Sequence, residues 1–247
     1  MEKKIKAVVL AAGKGTRLRT EGCDLPKVMR SALGKPLLSY VLDSLSFIPK
    51  EDIVIVVGYQ KEKVMEYFSD YTFAVQDQQL GTGHAVMSAC DLLKDFDGQV
   101  LVCCGDMPLV SRKSYETLAK THLDEGCACT MLTGITDMKL AYGRILRDKT
   151  GGFVRVVEDK DCTPEQREIK ELNSGIYMFD CKELLEALTQ LKNNNAQSEY
   201  YLTDVPEIMR SKGLQLSVYP REMGNELIGV NTVEQLREVE NIIASQK

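Results

Sequence analysis

From residue 5 to residue 12 the chain is apolar at every position except Lys6, and it then runs straight into Gly13-Lys14-Gly15. A nearly continuous apolar run that stops at a glycine marks a strand covered on both faces. Such strands belong to sheets packed between helices, so this segment points to an α/β fold before any other residue is read. The same rhythm continues. Pro36 opens a helix with Leu37, Leu38, Val41, Leu42 and Leu45 on one face. Residues 53–57 form a second buried run ended by Gly58, 61–68 read as a helix and 73–75 as a short strand. A polar loop fills 76–83, a helix is expected over 85–93, and a strand over 100–104 stops at Gly105-Asp106. Strand and helix in alternation with short connections imply parallel strands and right-handed crossovers.

The second half is more mixed. Strands are expected over 128–132, 143–146, 154–157, 175–179 and 214–219, and helices over 182–191 and 204–212. A polar loop covers 193–197, and Val233, Leu236, Val239 and Ile242 mark a last amphipathic helix. No internal repeat or low-complexity linker interrupts the chain. One domain is expected, with insertions in its second half.

With 247 residues, 44% of them hydrophobic, the chain is able to bury a full core without metals or disulfides. The net charge of −5 excludes a general electrostatic DNA binder, so no nucleic-acid partner is expected. No apolar stretch approaches the roughly 20 residues of a membrane span. No signal peptide is visible after Met1-Glu2-Lys3-Lys4. Eight cysteines with no Cys-x-x-Cys pair, and only His84 and His122 beside them, argue against structural zinc. The expectation is a cytoplasmic protein whose cysteines are mostly small core residues.

The chemistry starts at the end of the first strand. Leu10, Ala11, Ala12, Gly13, Lys14, Gly15, Thr16 and Arg17 join small residues to two cations, and Lys27 follows after Leu25-Pro26. Glycines let backbone wrap closely around a ligand, and free N–H groups in such a loop cradle phosphate oxygens. The Walker A pattern is absent, and the dinucleotide fingerprint fails because position 18 is leucine. The loop is suited to a polyphosphate. In an open α/β sheet, ligands bind beyond the carboxyl ends of the strands. The loop at 76–83, Gly105-Asp106 and Gly229-Val230-Asn231 fall on that same rim. Asp106 either caps a turn or holds Mg²⁺ against phosphate oxygens. Gln76, Gln79, Gly81 and Thr82 either read a base edge or form an ordinary polar loop. Glu158, Asn173 and Asn231 are polar beside apolar strand runs, which suits hydroxyl or metal binding as well as plain surface. Gly143 allows either close approach to a sugar or a β-bulge. His84 reads as a structural hydrogen-bonder.

Residues 10–18 together with Leu25-Pro26-Lys27-Val28 resemble the signature of sugar-1-phosphate nucleotidyltransferases. Residues 79–85, 157–161, 171–176 and 193–204, with Gly229-Val230-Asn231, resemble the uridyltransferase part of bacterial N-acetylglucosamine-1-phosphate uridyltransferases. The resemblance runs from near residue 5 to near 240. It implies a Rossmann-like three-layer α/β/α fold with a mostly parallel mixed sheet, a nucleotide part roughly over 1–110 and a sugar part roughly over 111–230. It implies Mg²⁺, with UTP and N-acetylglucosamine 1-phosphate as substrates, and UDP-N-acetylglucosamine and pyrophosphate as products. Carried over by motif, Arg17 and Lys27 are the catalytic cations. Residues 10–16 with Gln76, Gln79, Gly81 and Thr82 take the nucleotide. Cys104, Gly105, Gly143, Glu158 and Asn173 take the sugar, and Asp106 and Asn231 take the metal. The spacing from Arg17 to Lys27 is longer than the pattern, Cys104 replaces a tyrosine, and Arg30-Ser31 replaces a histidine-containing turn. No hexapeptide repeat follows the last helix, so neither an acetyltransferase β-helix nor the trimer that it forms is expected. Two competing readings stand beside it, a nucleotidyltransferase for a different sugar or alcohol phosphate and a nucleotide-sugar-binding regulator with little turnover; a P-loop kinase lacks its Lys-Ser/Thr signature.

Overall fold

The computed structural model describes residues 4–15, 18 and 25–246. Arg17, Thr16 and Cys23 lie outside the described residues. The first half alternates as expected. β1 (Ile5–Ala11) is followed by a short hairpin of β2 (Ser31–Ala32) and β3 (Lys35–Pro36), then α1 (Leu37–Ser44), β4 (Ile53–Val57), α2 (Lys61–Tyr67) and β5 (Thr72–Val75). Next come α3 (Thr82–Met87), α4 (Cys90–Leu93), β6 (Gln99–Cys104) and α5 (Arg112–Glu125). The second half holds β7 (Cys129–Ile135), β8 (Arg144–Arg147), β9 (Phe153–Val157), α6 (Pro164–Arg167), β10 (Glu171–Asp180), α7 (Cys181–Leu188), α8 (Val205–Ser211), β11 (Leu216–Arg221) and α9 (Val233–Ser245).

The main sheet runs β11-β7-β10-β6-β1-β4-β5, with the β8–β9 hairpin joined to β10. Along that path β10 is the strand of opposite sense: it pairs antiparallel with β6 and β7, while the other neighbours are parallel. Alternate residues of each strand feed opposite layers. Ala7, Val9, Ile53, Ile55, Leu101 and Cys103 pack with Leu38 and Val41 of α1, Val64 of α2 and Leu118 of α5. Val8, Val54, Val56, Val100 and Val102 pack with Val86 of α3, Leu184 of α7 and Met209 of α8. This is the three-layer α/β/α arrangement with a mostly parallel mixed sheet. A third cluster pins Leu236, Val239 and Ile243 of α9 to Leu18, Ala32, Leu37 and Val230.

Three local expectations need correction. The helix expected over 85–93 starts three residues early, at Thr82, and breaks after Met87. The Ser88 hydroxyl bonds back to the His84 carbonyl at 3.0 Å and Ala89 N–H takes the Val86 carbonyl at 2.9 Å, tightening the turn. α5, the 14-residue helix, has no counterpart in the sequence reading; its buried side includes Ser114 and His122, which dilute the apolar stripe. The strand expected from Gly175 begins at Glu171, and the register shifts between Asn173 and Ile176. Gly175, at φ +74°, belongs to that bulge rather than to a strand start.

Candidate functional site

Two cavities open along the carboxyl rim of the sheet and meet at a common wall. The larger, about 400 Å³, is lined by the β1 loop from Leu10 to Gly15, by Lys27 and Val28, by Gln76, Gln79, Gly81 and Thr82, and by Cys104, Asp106 and Glu199. The smaller, about 180 Å³, is lined by Met107, Tyr142, Gly143, Glu158, Asn173, Tyr177, Thr203 and Asn231 among others. Thr82, Cys104 and Asp106 face both.

Close packing shapes the larger cavity. Gly15 lies at φ +57° with its missing Cβ position only 2.6 Å from Lys27 Cβ, so only glycine lets the loop rest on the lysine stem. The 76–83 loop is sewn to a second segment. Gly83 N–H donates to Tyr200 O at 2.8 Å, Tyr200 N–H to Leu80 O at 2.8 Å, and Leu202 N–H to Thr82 Oγ1 at 3.1 Å. Gln76 is buried. Its amide nitrogen donates to Gly81 O at 3.0 Å and to His84 Nδ1 at 3.1 Å. Both amide hydrogens are thereby used, so the side-chain oxygen is what Gln76 has left to offer a ligand. His84 is thus a hydrogen-bonder that fixes Gln76. Gln79 Nε2 donates to Gln76 O at 3.2 Å.

The common wall carries the charge. The Lys27 ammonium pairs with the Asp106 carboxylate and donates to Asn231 Oδ1 at 2.7 Å. Both partners are held from behind. Val230 N–H donates to Asp106 O at 2.9 Å, Asn231 N–H to Gln235 Oε1 at 2.8 Å and Asn231 Nδ2 to Gly229 O at 3.2 Å. Gln235 belongs to the capping box of α9 with Thr232, so the helix start anchors Asn231. Gly105 lines neither cavity. Its N–H donates to Leu10 O at 2.9 Å, and a Cβ there would meet Leu38, Leu10 and Val28 at 3.1–3.3 Å, so it is the joint that lets Asp106 leave β6 close to β1.

The smaller cavity is built from side chains of distant segments. The β10 bulge turns Asn173 inward; its Oδ1 accepts from Tyr177 OH at 2.8 Å and from Gly175 N–H at 3.3 Å. Asn173 N–H donates to Gly143 O at 2.8 Å, and the missing Cβ of Gly143 would sit 2.8 Å from Val156 Cγ1. Burial pushes the Glu158 carboxyl above its ordinary value, although the Thr203 hydroxyl that donates to it at 2.9 Å works the other way. Tyr142 OH donates to Leu227 O at 2.8 Å and accepts from Gly229 N–H at 2.9 Å; burial, then the Asp106 charge, raises its pKa. Burial also raises the Cys104 thiol far above neutrality, which keeps it protonated at the neck between the cavities.

The sequence-selected residues therefore converge. Every described one except Gly105 lines one or both cavities. Thr203, Tyr142, Tyr177 and Glu199 also line them and were not singled out as site residues; Glu199 and Thr203 fall inside the 193–204 motif that the resemblance had already flagged.

A profile of the family described as Nucleotidyl transferase matches residues 6–226. The bifunctional protein GlmU of Geobacillus sp. strain WCH70 is 44% identical over 238 residues, 96% of this chain and 51% of its own length. The bifunctional protein GlmU of Clostridium novyi strain NT is 43% identical over 242 residues, 96% of this chain and 52% of its own. That of Pediococcus pentosaceus is 43% identical over 232 residues, 94% of this chain and 49% of its own. The chain spans about half the length of the curated relatives it matches.

Proposed function

The chain belongs to the Nucleotidyl transferase family, and from that premise we propose that it joins UTP to N-acetylglucosamine 1-phosphate, giving UDP-N-acetylglucosamine and pyrophosphate. The observation that carries this reading is the common wall: a cavity of glycine backbone and a cavity of hydrogen-bonding side chains meet at Asp106, beside Lys27. In the proposed reaction a phosphate oxygen of the sugar phosphate attacks the α-phosphorus of the nucleotide in line. A new P–O bond forms as the bond to the bridging oxygen breaks, and that electron pair leaves with pyrophosphate. The nucleophile is anionic at neutral pH, so no general base is needed.

Each half has a task. The β1 loop offers backbone N–H groups to the triphosphate. Gln76, with its nitrogen occupied, presents an acceptor that suits the ring N–H of uracil and not the bare ring nitrogen of cytosine. Glu158, Asn173 and Thr203 supply acceptors and donors for sugar hydroxyl and amide groups. Lys27, with Arg17 expected beside the phosphates, counters the repulsion between two polyanions and the charge growing on the leaving group.

The donor set suits Mg²⁺. Asp106 and Asn231 place one anionic and one neutral oxygen on a single cation, the Lys27 ammonium. Two protein oxygens suit Mg²⁺, which keeps waters and takes further ligands from substrate phosphates. Asp106 and Asn231 would hold the ion, which when bound neutralises charge on the phosphate oxygens.

The test is a substrate panel read by pyrophosphate release with Mg²⁺: sugar 1-phosphates and choline phosphate against UTP, CTP, GTP and dTTP. The highest kcat/KM is expected for UTP with N-acetylglucosamine 1-phosphate. Cys104, small where the family pattern has tyrosine, is the reason to include other phosphates; a clear preference for one of them would replace the substrate. Binding of UDP-N-acetylglucosamine with no turnover of any pair would favour the regulator.

A further inference from the structure

Asp106 and Asn231, the two oxygens assigned above to the metal, already hold a cation that belongs to the chain. The Lys27 and Asp106 side chains are only 14% and 19% exposed, so solvent and salt screen the pair weakly. A Mg²⁺ ion keeps its oxygen ligands about 2.1 Å away, and the ammonium stands within hydrogen-bond distance of both. Metal and ammonium would be pressed against each other if both stayed. Val230 ties the Asp106 backbone, Gln235 ties the Asn231 backbone and Gly229 ties the Asn231 side chain, whereas lysine sits on a flexible four-carbon stem. The part that moves is Lys27.

We propose that Lys27 is a placeholder cation that closes the Asp106–Asn231 site to free divalent metal until a nucleoside triphosphate arrives to receive the displaced ammonium. The inference rests on the reading of Asp106 and Asn231 as metal ligands. The displacement has a direction. Lys27 lines the larger cavity together with Lys14 and the glycine loop, while Asn231 lines only the smaller of the two. Leaving Asn231, the ammonium turns to the cavity proposed for the triphosphate. Beside Lys14 that cavity holds the Glu199 and Asp106 carboxylates, and a polyphosphate bound there adds several phosphate oxygens as partners for the ammonium. Metal and nucleotide then each raise the affinity for the other, by linkage.

The test is Mn²⁺ binding to the full chain without nucleotide, followed by the loss of the free-ion electron paramagnetic resonance signal. Lys27→Met keeps the apolar stem and removes the charge; Lys27→Gln serves if that variant fails to fold. Wild type should bind Mn²⁺ weakly, and the Lys27 variant at least about tenfold more tightly, the size expected for removing one part-buried competing ion pair. The gain should vanish when Asp106→Asn is added, and UTP should narrow the gap between wild type and variant. Equal Mn²⁺ affinity in wild type and variant, or a gain that survives Asp106→Asn, overturns the inference. Pyrophosphate release by the wild type judges the proposed reaction separately, so the two failures are distinguishable.

Discussion

The two cavities differ in how they are made. The walls of the larger one come mostly from the ends of β1 and β6 and the loop after β5, where parallel strands deliver backbone and glycine to one rim. The smaller one is walled by the antiparallel strand β10, the loop before β8, the end of β9 and residues 202–203, and it works through side chains. A polyphosphate is bound well by N–H groups and one or two cations, which a short contiguous loop supplies. A sugar ring offers hydroxyls in many directions, so its site needs carboxylate and amide groups from several segments. The antiparallel strand is what brings those segments to the parallel rim.

Substitutions sharpen or break this division. The largest effect is expected at the common wall. Asp106→Ala should cost roughly 10²–10³ in kcat while the melting temperature stays near that of the wild type. Arg17→Ala should do the same, and near-normal pyrophosphate release from either would remove that residue from the chemistry. In the cavity proposed for the sugar, Glu158→Ala should lower kcat/KM for the sugar phosphate about 10–100-fold, the worth of a hydrogen bond to a charged group. The KM for UTP should not move; equal losses for both substrates would dissolve the distinction between the cavities. In the cavity proposed for the nucleotide, Gly81→Ala strains the loop, because φ is +105° and the added Cβ would lie 2.6 Å from Tyr200 O. A raised KM for UTP and a stability loss of about 2 kcal/mol in denaturant unfolding are expected.

Smaller effects test the supports. Burial lifts Asp204, at the start of α8, to about 6, with Glu207 and Asp161 adding to it. The folded protein therefore holds this proton more tightly than the unfolded chain does. Its stabilising contribution is complete below about pH 4 and is lost as pH rises through about 6. The Asp204 side chain does not cap α8. Asp204→Asn should accordingly raise the melting temperature at pH 8 and not at pH 4; a gain of the same size at both would contradict the burial argument. Last, Leu33 sits at φ +50° and Gly34 at φ +81° in the two-residue turn between β2 and β3, with Leu33 44% exposed. Leu33→Asn should stabilise the fold by about 0.5–1 kcal/mol, with turnover unchanged.

The contrast also explains what the sequence revealed. The β1 run and its glycine loop are local: seven consecutive strand residues feed the sheet and the next four touch the cavity, so apolar continuity and Gly13-Lys14-Gly15 are enough to place them. The parallel half followed the same logic. α5 escaped because its buried side is partly polar. Ser114 bonds Glu226, and His122 bonds Thr130 Oγ1 at 2.9 Å and Gln99, partners that no 3.6-residue period reveals. Its Ser111 cap and Gly126 stop are visible, but around a stripe in which Ser114 and His122 dilute Tyr115, Leu118 and Ala119 they announce a helix only weakly. Thr203 and Tyr142 escaped for a related reason. Thr203 meets Glu158 across 45 residues of chain and Tyr142 meets Gly229 across 87, so their roles exist only after folding.

The most direct test of the two-cavity account is a crystal structure of the protein with UDP-N-acetylglucosamine and Mg²⁺. The account predicts the uracil beside Gln76 and Gly81, the diphosphate at Lys27 and Asp106, and the sugar within hydrogen-bond distance of Glu158 and Asn173. A sugar lodged against the glycine loop, or a diphosphate bound away from Asp106, would contradict it.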